Sequence, residues 1–273
     1  MSSTTLWLTD WNFEPTIIIG LVLLCAIYLY GVGPLRRRYN WASEIDKRQV
    51  TLFLSGVFII FIALVSPLDE IGDQYLFIAH MTQHLLLTLV MPPLLLLGTP
   101  GWLVRPFLEW NFIDRIARFI SKPIPAFLIF NVIFTAYHVP ALYDLSLQNN
   151  TFHIFVHLLL MATAVIAWMP ILSPIRELPR LPYPHQIMYL FFAAIPPTIL
   201  GALITFSETV LYPTYRIAPR LFGISAMDDQ MGAGLIMWIP GSTLYLLVLT
   251  IVFFKWFGQN DDSGQANEFA GRG

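Results

Sequence analysis

The chain has 273 residues, 56% of them hydrophobic and 12% charged, with a mean hydropathy of +0.66 and a net charge of −2. A soluble domain carries about 25% charged residues, so lipid is the expected solvent, and the lack of a basic surplus argues against a nucleic-acid partner. The single cysteine, Cys25, excludes a disulfide framework and paired-thiolate metal sites within the chain.

A helix needs about 20 apolar residues to cross a hydrocarbon core, and seven stretches supply them. The first is 16–33. Its leader, MSSTTLWLTDWNFEP, has no Lys or Arg and carries Asp10 and Glu14, so a cleaved signal peptide is not expected. The second is 50–68. The third, 75–98, carries His80, His84 and the pair Pro92-Pro93. Residues 102–121 then mix Trp and Phe with Arg and Asp, as an interfacial segment would. The fourth stretch, 124–140, ends at YHVP and brings His138. The fifth, 151–172, opens with His153 and His157, and the sixth, 185–206, contains Pro196-Pro197. Each proline pair removes backbone hydrogen bonds and is expected to kink its helix. The seventh, 231–257, follows Met227, Asp228, Asp229 and Gln230, and its Gly232 and Gly234 would let helices approach closely. The fold expected is all-α: one seven-helix membrane domain over 1–257 and a polar tail over 258–273.

Orientation follows from the basic residues. Arg36, Arg37, Arg38, Lys47, Arg48, Arg105, Arg115, Arg118, Lys122, Arg176, Arg180, Lys255 and Arg272 lie on one set of alternating segments. Only Arg216 and Arg220 lie on the other, beside nine acidic residues that include Asp69, Asp73 and Asp229. The N-terminus is therefore expected outside and the C-terminus in the cytoplasm, in a multi-pass protein of the cell membrane.

This topology sends His80, His84, His138, His153 and His157 to the outer half of the bilayer and leaves His185 at the inner face. The stretches HMTQHLLL and HIFVHLLL each place two histidines four residues apart, hence on one helix face about 6 Å apart along the axis. That spacing suits two ligands to one ion. Met81 and Ile154 stand where a zinc hydrolase would carry its Glu, so proteolysis is rejected and no enzyme is expected. A lone intramembrane histidine is commonly polar glue between helices. Two pairs and a fifth histidine on one side favour a functional site. Imidazole suits copper, zinc, iron and nickel, and thioethers favour copper(I). Met81 and Met231 are therefore candidate weak ligands, and Asp229 is a candidate support to the ligands. Haem is the rival: two haems on crossed histidine pairs would sit too close together, whereas a single haem leaves histidines spare.

The ordered set SPLD (66–69), HMTQHLLL (80–87), MPPLLLLGTP (91–100), YHVPALY (137–143), HIFVH (153–157), WMP (168–170) and DQMGAG (229–234) resembles the CtaG family, seven-helix cytochrome c oxidase assembly factors of bacterial membranes. Tyr137 departs from the Trp expected there, and Ala233 from a second Gly. The resemblance implies a role in maturing haem–copper oxidase, with copper supplied to the CuB centre of its catalytic subunit, and carries over His80, His84, His138, His153, His157 and Asp229. The partners expected are that subunit, a copper donor and the lipid bilayer, with homo-oligomerisation left open. Two other readings remain at this stage, a membrane electron-transfer protein with one haem and a metal-free assembly scaffold.

Overall fold

The computed structural model describes residues 11–270, with side chains through Gln259. Asp10 and Arg272, and the side chains of most of the expected polar tail, lie outside the described part. All regular structure among the described residues is helical. We number α1 (Pro15–Tyr39), α2 (Lys47–Val65), α3 (Pro67–Gln74), α4 (Phe77–Gly98), α5 (Asn111–Ile120), α6 (Pro123–Tyr137), α7 (Pro140–Gln148), α8 (Asn150–Leu172), α9 (Tyr183–Thr205), α10 (Pro213–Ile217) and α11 (Ala226–Gln259). Six of them, α1, α2, α4, α8, α9 and α11, are each long and apolar enough to span a membrane. A seventh span arises if α5 and α6, bent by 76° at their junction, count as one.

Local chemistry sets most boundaries. Asp46, Ser66 and Asn149 cap α2, α3 and α8 by accepting backbone N–H groups of Arg48, Leu68 and Phe152. The second span ends at Val65 rather than 68, because Ser66 precedes Pro67 and takes an extended conformation. The same rule ends α6 at Tyr137: Val139, before Pro140, is extended, which leaves His138 as the cap. The third span begins at Phe77 because Leu76 is extended. Its proline pair is preceded by a π turn over Leu86–Val90, a wider turn that accommodates the carbonyls left without N–H donors by Pro92 and Pro93. By contrast, α9 continues as one helix through Pro196 and Pro197.

The apolar surface divides as a bilayer requires. On α8, Phe155 and Leu158 are exposed, whereas His153, His157 and Leu160 are buried. Residues of α5 expected at an interface, Phe112, Ile116 and Phe119, are exposed beside Arg118 and Asp114. Helices α9 and α11 come close together at Gly201 and Gly234, where a Cβ on Gly234 would stand 2.7 Å from the Gly201 carbonyl oxygen. One core cluster, built from Phe77, Met81, Phe134, Tyr143, Val156 and Tyr212 among others, surrounds the end of the bundle that holds the histidines.

Candidate metal centre

Helices α4 and α8 are neighbours, and each delivers one i,i+4 histidine pair to their shared face. His80 and His84 have ring centres 4.4 Å apart, and His153 and His157 4.3 Å. Across the helix boundary, His80 lies 6.1 Å from His153 and 5.9 Å from His157, and His84 lies 5.4 Å from His157. His138, at the end of α6, closes on His84 at 5.7 Å. All five are buried. His185 is exposed at the start of α9.

Hydrogen bonding fixes which nitrogens are bare. His80 Nδ1 lies 3.0 Å from Asp73 Oδ1, so its proton sits on Nδ1 toward the carboxylate. Nε2 of His80 is buried without a partner. His138 repeats the pattern, with Nδ1 donating to the Phe134 carbonyl at 2.7 Å and Nε2 bare. The Nε2 atoms of His84 and His157 face each other at 3.4 Å. Two neutral imidazoles can share only one proton there, and a pair of bare lone pairs would repel unless a cation stood between them.

Ligand nitrogens about 2.0–2.1 Å from an ion stand roughly 3.3–3.6 Å apart in tetrahedral or trigonal geometry. The His84–His157 separation falls in that range. Ligand atoms of His80, His84 and His157 all lie within 4.8 Å of one another, so the residues fit a metal ion. The Asp73–His80 contact is the carboxylate–imidazole arrangement that orients a ligating histidine and raises its basicity. Asp73 reaches His153 as well, with Oδ2 3.2 Å from Nε2. Burial alone would push the Asp73 carboxyl up, but the imidazoles of His153 and His80 hold it well below the usual carboxylate range. Its neighbour Asp69 is pushed up to about 7, first by burial and then by the charge of Asp73. Asp69 accepts hydrogen bonds from Asn12 Nδ2 and Gln83 Nε2, each at 2.6 Å.

The remaining candidates take different places. Asp229 is fully buried, and its two carboxylate oxygens accept the backbone N–H groups of Phe77 and Ile78 at 2.8 and 3.0 Å. It thereby caps α4, whose own N-cap Leu76 makes no side-chain bond. Met81 packs in the apolar cluster beside the histidines, and Met231 is 43% exposed. Asp73, Gln83 and the tyrosine cage carry no site role in the sequence reading, although Asp73 counts there among the outer acidic residues. In that cage Tyr143 and Tyr215 share a hydrogen bond at 2.7 Å, and Tyr215 also donates to the Gly72 carbonyl.

A family model described as "Cytochrome c oxidase caa3 assembly factor (Caa3_CtaG)" matches residues 26–259. The chain belongs to the Caa3_CtaG family. Within this family setting it is a multi-pass membrane protein. Similar proteins include uncharacterized protein Mb0105 of Mycobacterium bovis and uncharacterized protein MT0111 of Mycobacterium tuberculosis, each 28% identical over 271 residues. Uncharacterized protein ML1998 of Mycobacterium leprae is 25% identical over 272 residues. The alignments cover 93%, 93% and 92% of this Caa3_CtaG chain, which spans 40% of the length of each relative. No solved structure matches it.

Proposed function

We propose that this protein is a cytochrome c oxidase assembly factor that holds copper near the outer membrane face and passes it to the CuB centre of the oxidase catalytic subunit. It acts by binding and ligand exchange, not as an enzyme. The observation that carries the reading is the meeting of His80, His84 and His157 at ligand spacing, with His80 Nε2 buried and bare and the Nε2 atoms of His84 and His157 facing each other, inside a Caa3_CtaG chain. Copper is the cargo, and these three imidazoles would hold it. His153 and His138 flank them and offer exchange positions, so the ion changes one ligand at a time without being released into lipid. Asp73 fixes the His80 tautomer, and Asp229 fixes the start of the helix that carries the first pair. The seven-helix unit over 1–257 serves as one domain, with its N-terminus outside.

A haem between the pairs is disfavoured by geometry: 3.4 Å between the facing Nε2 atoms leaves no room for a macrocycle. The test is metal analysis and an absorption spectrum of the protein purified from copper-replete membranes. Bound copper without a Soret band, lost in His84→Ala, is the expected result. A Soret band would establish the haem reading. Neither metal nor haem would leave the metal-free scaffold.

A further inference from the structure

Between α1, α3 and α8 lies a cavity of about 630 Å³. Its polar end is lined by Glu14, Asp69 and Asp73, and it reaches the surface at Gln74 and Asn150, both exposed. No Lys or Arg lines it among the described residues. On its inner wall stand His153 and His157, so the cavity meets the histidine cluster from the α8 side.

His153 is an independent sign of a ligand there. Its side chain is only 9% exposed. Nδ1 has no hydrogen-bond partner, and Nε2, although 3.2 Å from Asp73 Oδ2, is not aligned to donate to it. The residue falls outside the His80–His84–His157 triad, yet its ring is packed directly against that of His157. A buried imidazole that lines an acid-rich cavity and packs against His157 has ring nitrogens free to bind a ligand.

We propose that this cavity is the entry vestibule for a divalent first-row cation, and that the His153 imidazole, with the Asp73 carboxylate, hands the ion from the acidic mouth to the triad. The inference rests on the metal-binding reading given above and adds the route. Its donors, carboxylate oxygen and imidazole nitrogen, suit divalent copper or zinc better than soft thiolate chemistry would. Carboxylates along a low-dielectric cleft raise the local cation concentration and the rate of capture, an effect that salt weakens. The ion then exchanges water for Asp73 and His153, and these for the triad, with no change of oxidation state.

Stopped-flow uptake of Cu²⁺ by the metal-stripped, detergent-solubilised full chain tests this. Glu14→Gln keeps an oxygen acceptor beside Asn150 Nδ2 while removing the charge, and alters no proposed ligand of the triad. It should slow uptake about threefold or more, flatten the salt dependence of the rate and leave the final copper content at the wild-type level. His153→Gln should also slow uptake, through the handover step. A wild-type rate in either folded variant overturns the vestibule while leaving the triad reading intact. If His153→Gln does not fold, the rate and salt slope of Glu14→Gln decide. A wild-type protein that takes up no Cu²⁺ overturns the triad and the vestibule together.

Discussion

At the scale of single residues, the centre depends on which nitrogen of each imidazole is free. Asp73 makes that choice for His80. Replacing it by Asn keeps an acceptor but removes the charge that strengthens the imidazole as a donor. Losing such a support typically costs about 10–100-fold in metal affinity. Competition against a chelator of known affinity should therefore show Asp73→Asn binding copper more weakly at unchanged stoichiometry. His185→Ala, at an exposed position on the opposite end, should match the wild type in the same titration. Asp69 supplies a pH signature in the metal-free protein. Its folded-state value is raised to about 7, above the ordinary carboxylate value near 4. Between those limits the folded protein retains a proton that the unfolded chain has lost, so its contribution to stability declines as pH rises through the window. Thermal unfolding of Asp69→Asn should thus gain on the wild type from pH 4 to pH 7. A constant difference across that range would remove Asp69 as the source.

The element scale explains what could be read in advance. Two HxxxH stretches on apolar helices imply two imidazoles per face, and the alternation of basic segments places both pairs at one depth. That α4 and α8 are neighbours, so that the two pairs meet, is a result of helix packing that neither signal contains. Asp73 is different. It precedes His80 by seven residues, a spacing that helical periodicity would align, but Tyr75 and Leu76 break the helix between them. The contact is made by a turn of chain, not by a shared helix face. Short helices such as α3, α7 and α10 escape notice for a related reason: five to nine residues of mixed polarity carry too little periodic pattern. Asp229 is legible as a support without its mechanism, since the N–H groups that donate to it lie 152 and 151 residues away in sequence. Removing it in Asp229→Ala leaves two N–H groups at the head of α4 unmet, at a cost of about 1–3 kcal/mol. A lowered Tm together with weaker copper binding is expected. Helix contact gives a second case. Gly234→Ala sets a methyl group 2.4 Å from Thr205 Oγ1 and 2.7 Å from the Gly201 carbonyl oxygen, and overpacking of that kind costs about 1–3 kcal/mol. Its Tm should fall while copper stoichiometry holds.

For the whole molecule, the six spans, or seven if α5 and α6 count as one, follow from hydropathy, and the family match over 26–259 agrees with the motifs read along the chain. Orientation has its own test. In a Cys25→Ser background, Glu208→Cys should react with a membrane-impermeant thiol reagent applied to intact cells. Lys122→Cys should react only after the membrane is opened. The reverse pattern would put the histidines at the cytoplasmic face. Both positions are exposed, so access to the reagent depends on the side of the membrane.

The bond from Asp229 to the head of α4 also imposes an order on biogenesis. Ribosomes deliver α4 and its two histidines early, α8 and the second pair midway, and Asp229 only with the last helix. Until that residue is made, the N–H groups of Phe77 and Ile78 lack the partner they have in the finished protein, and the helix that carries the first histidine pair lacks its side-chain cap. A nascent or truncated chain thus carries every imidazole yet lacks the rigid frame that aligns them. On the copper-holding reading proposed above, metal capture would await completion of synthesis, which would keep a reactive ion away from half-made protein.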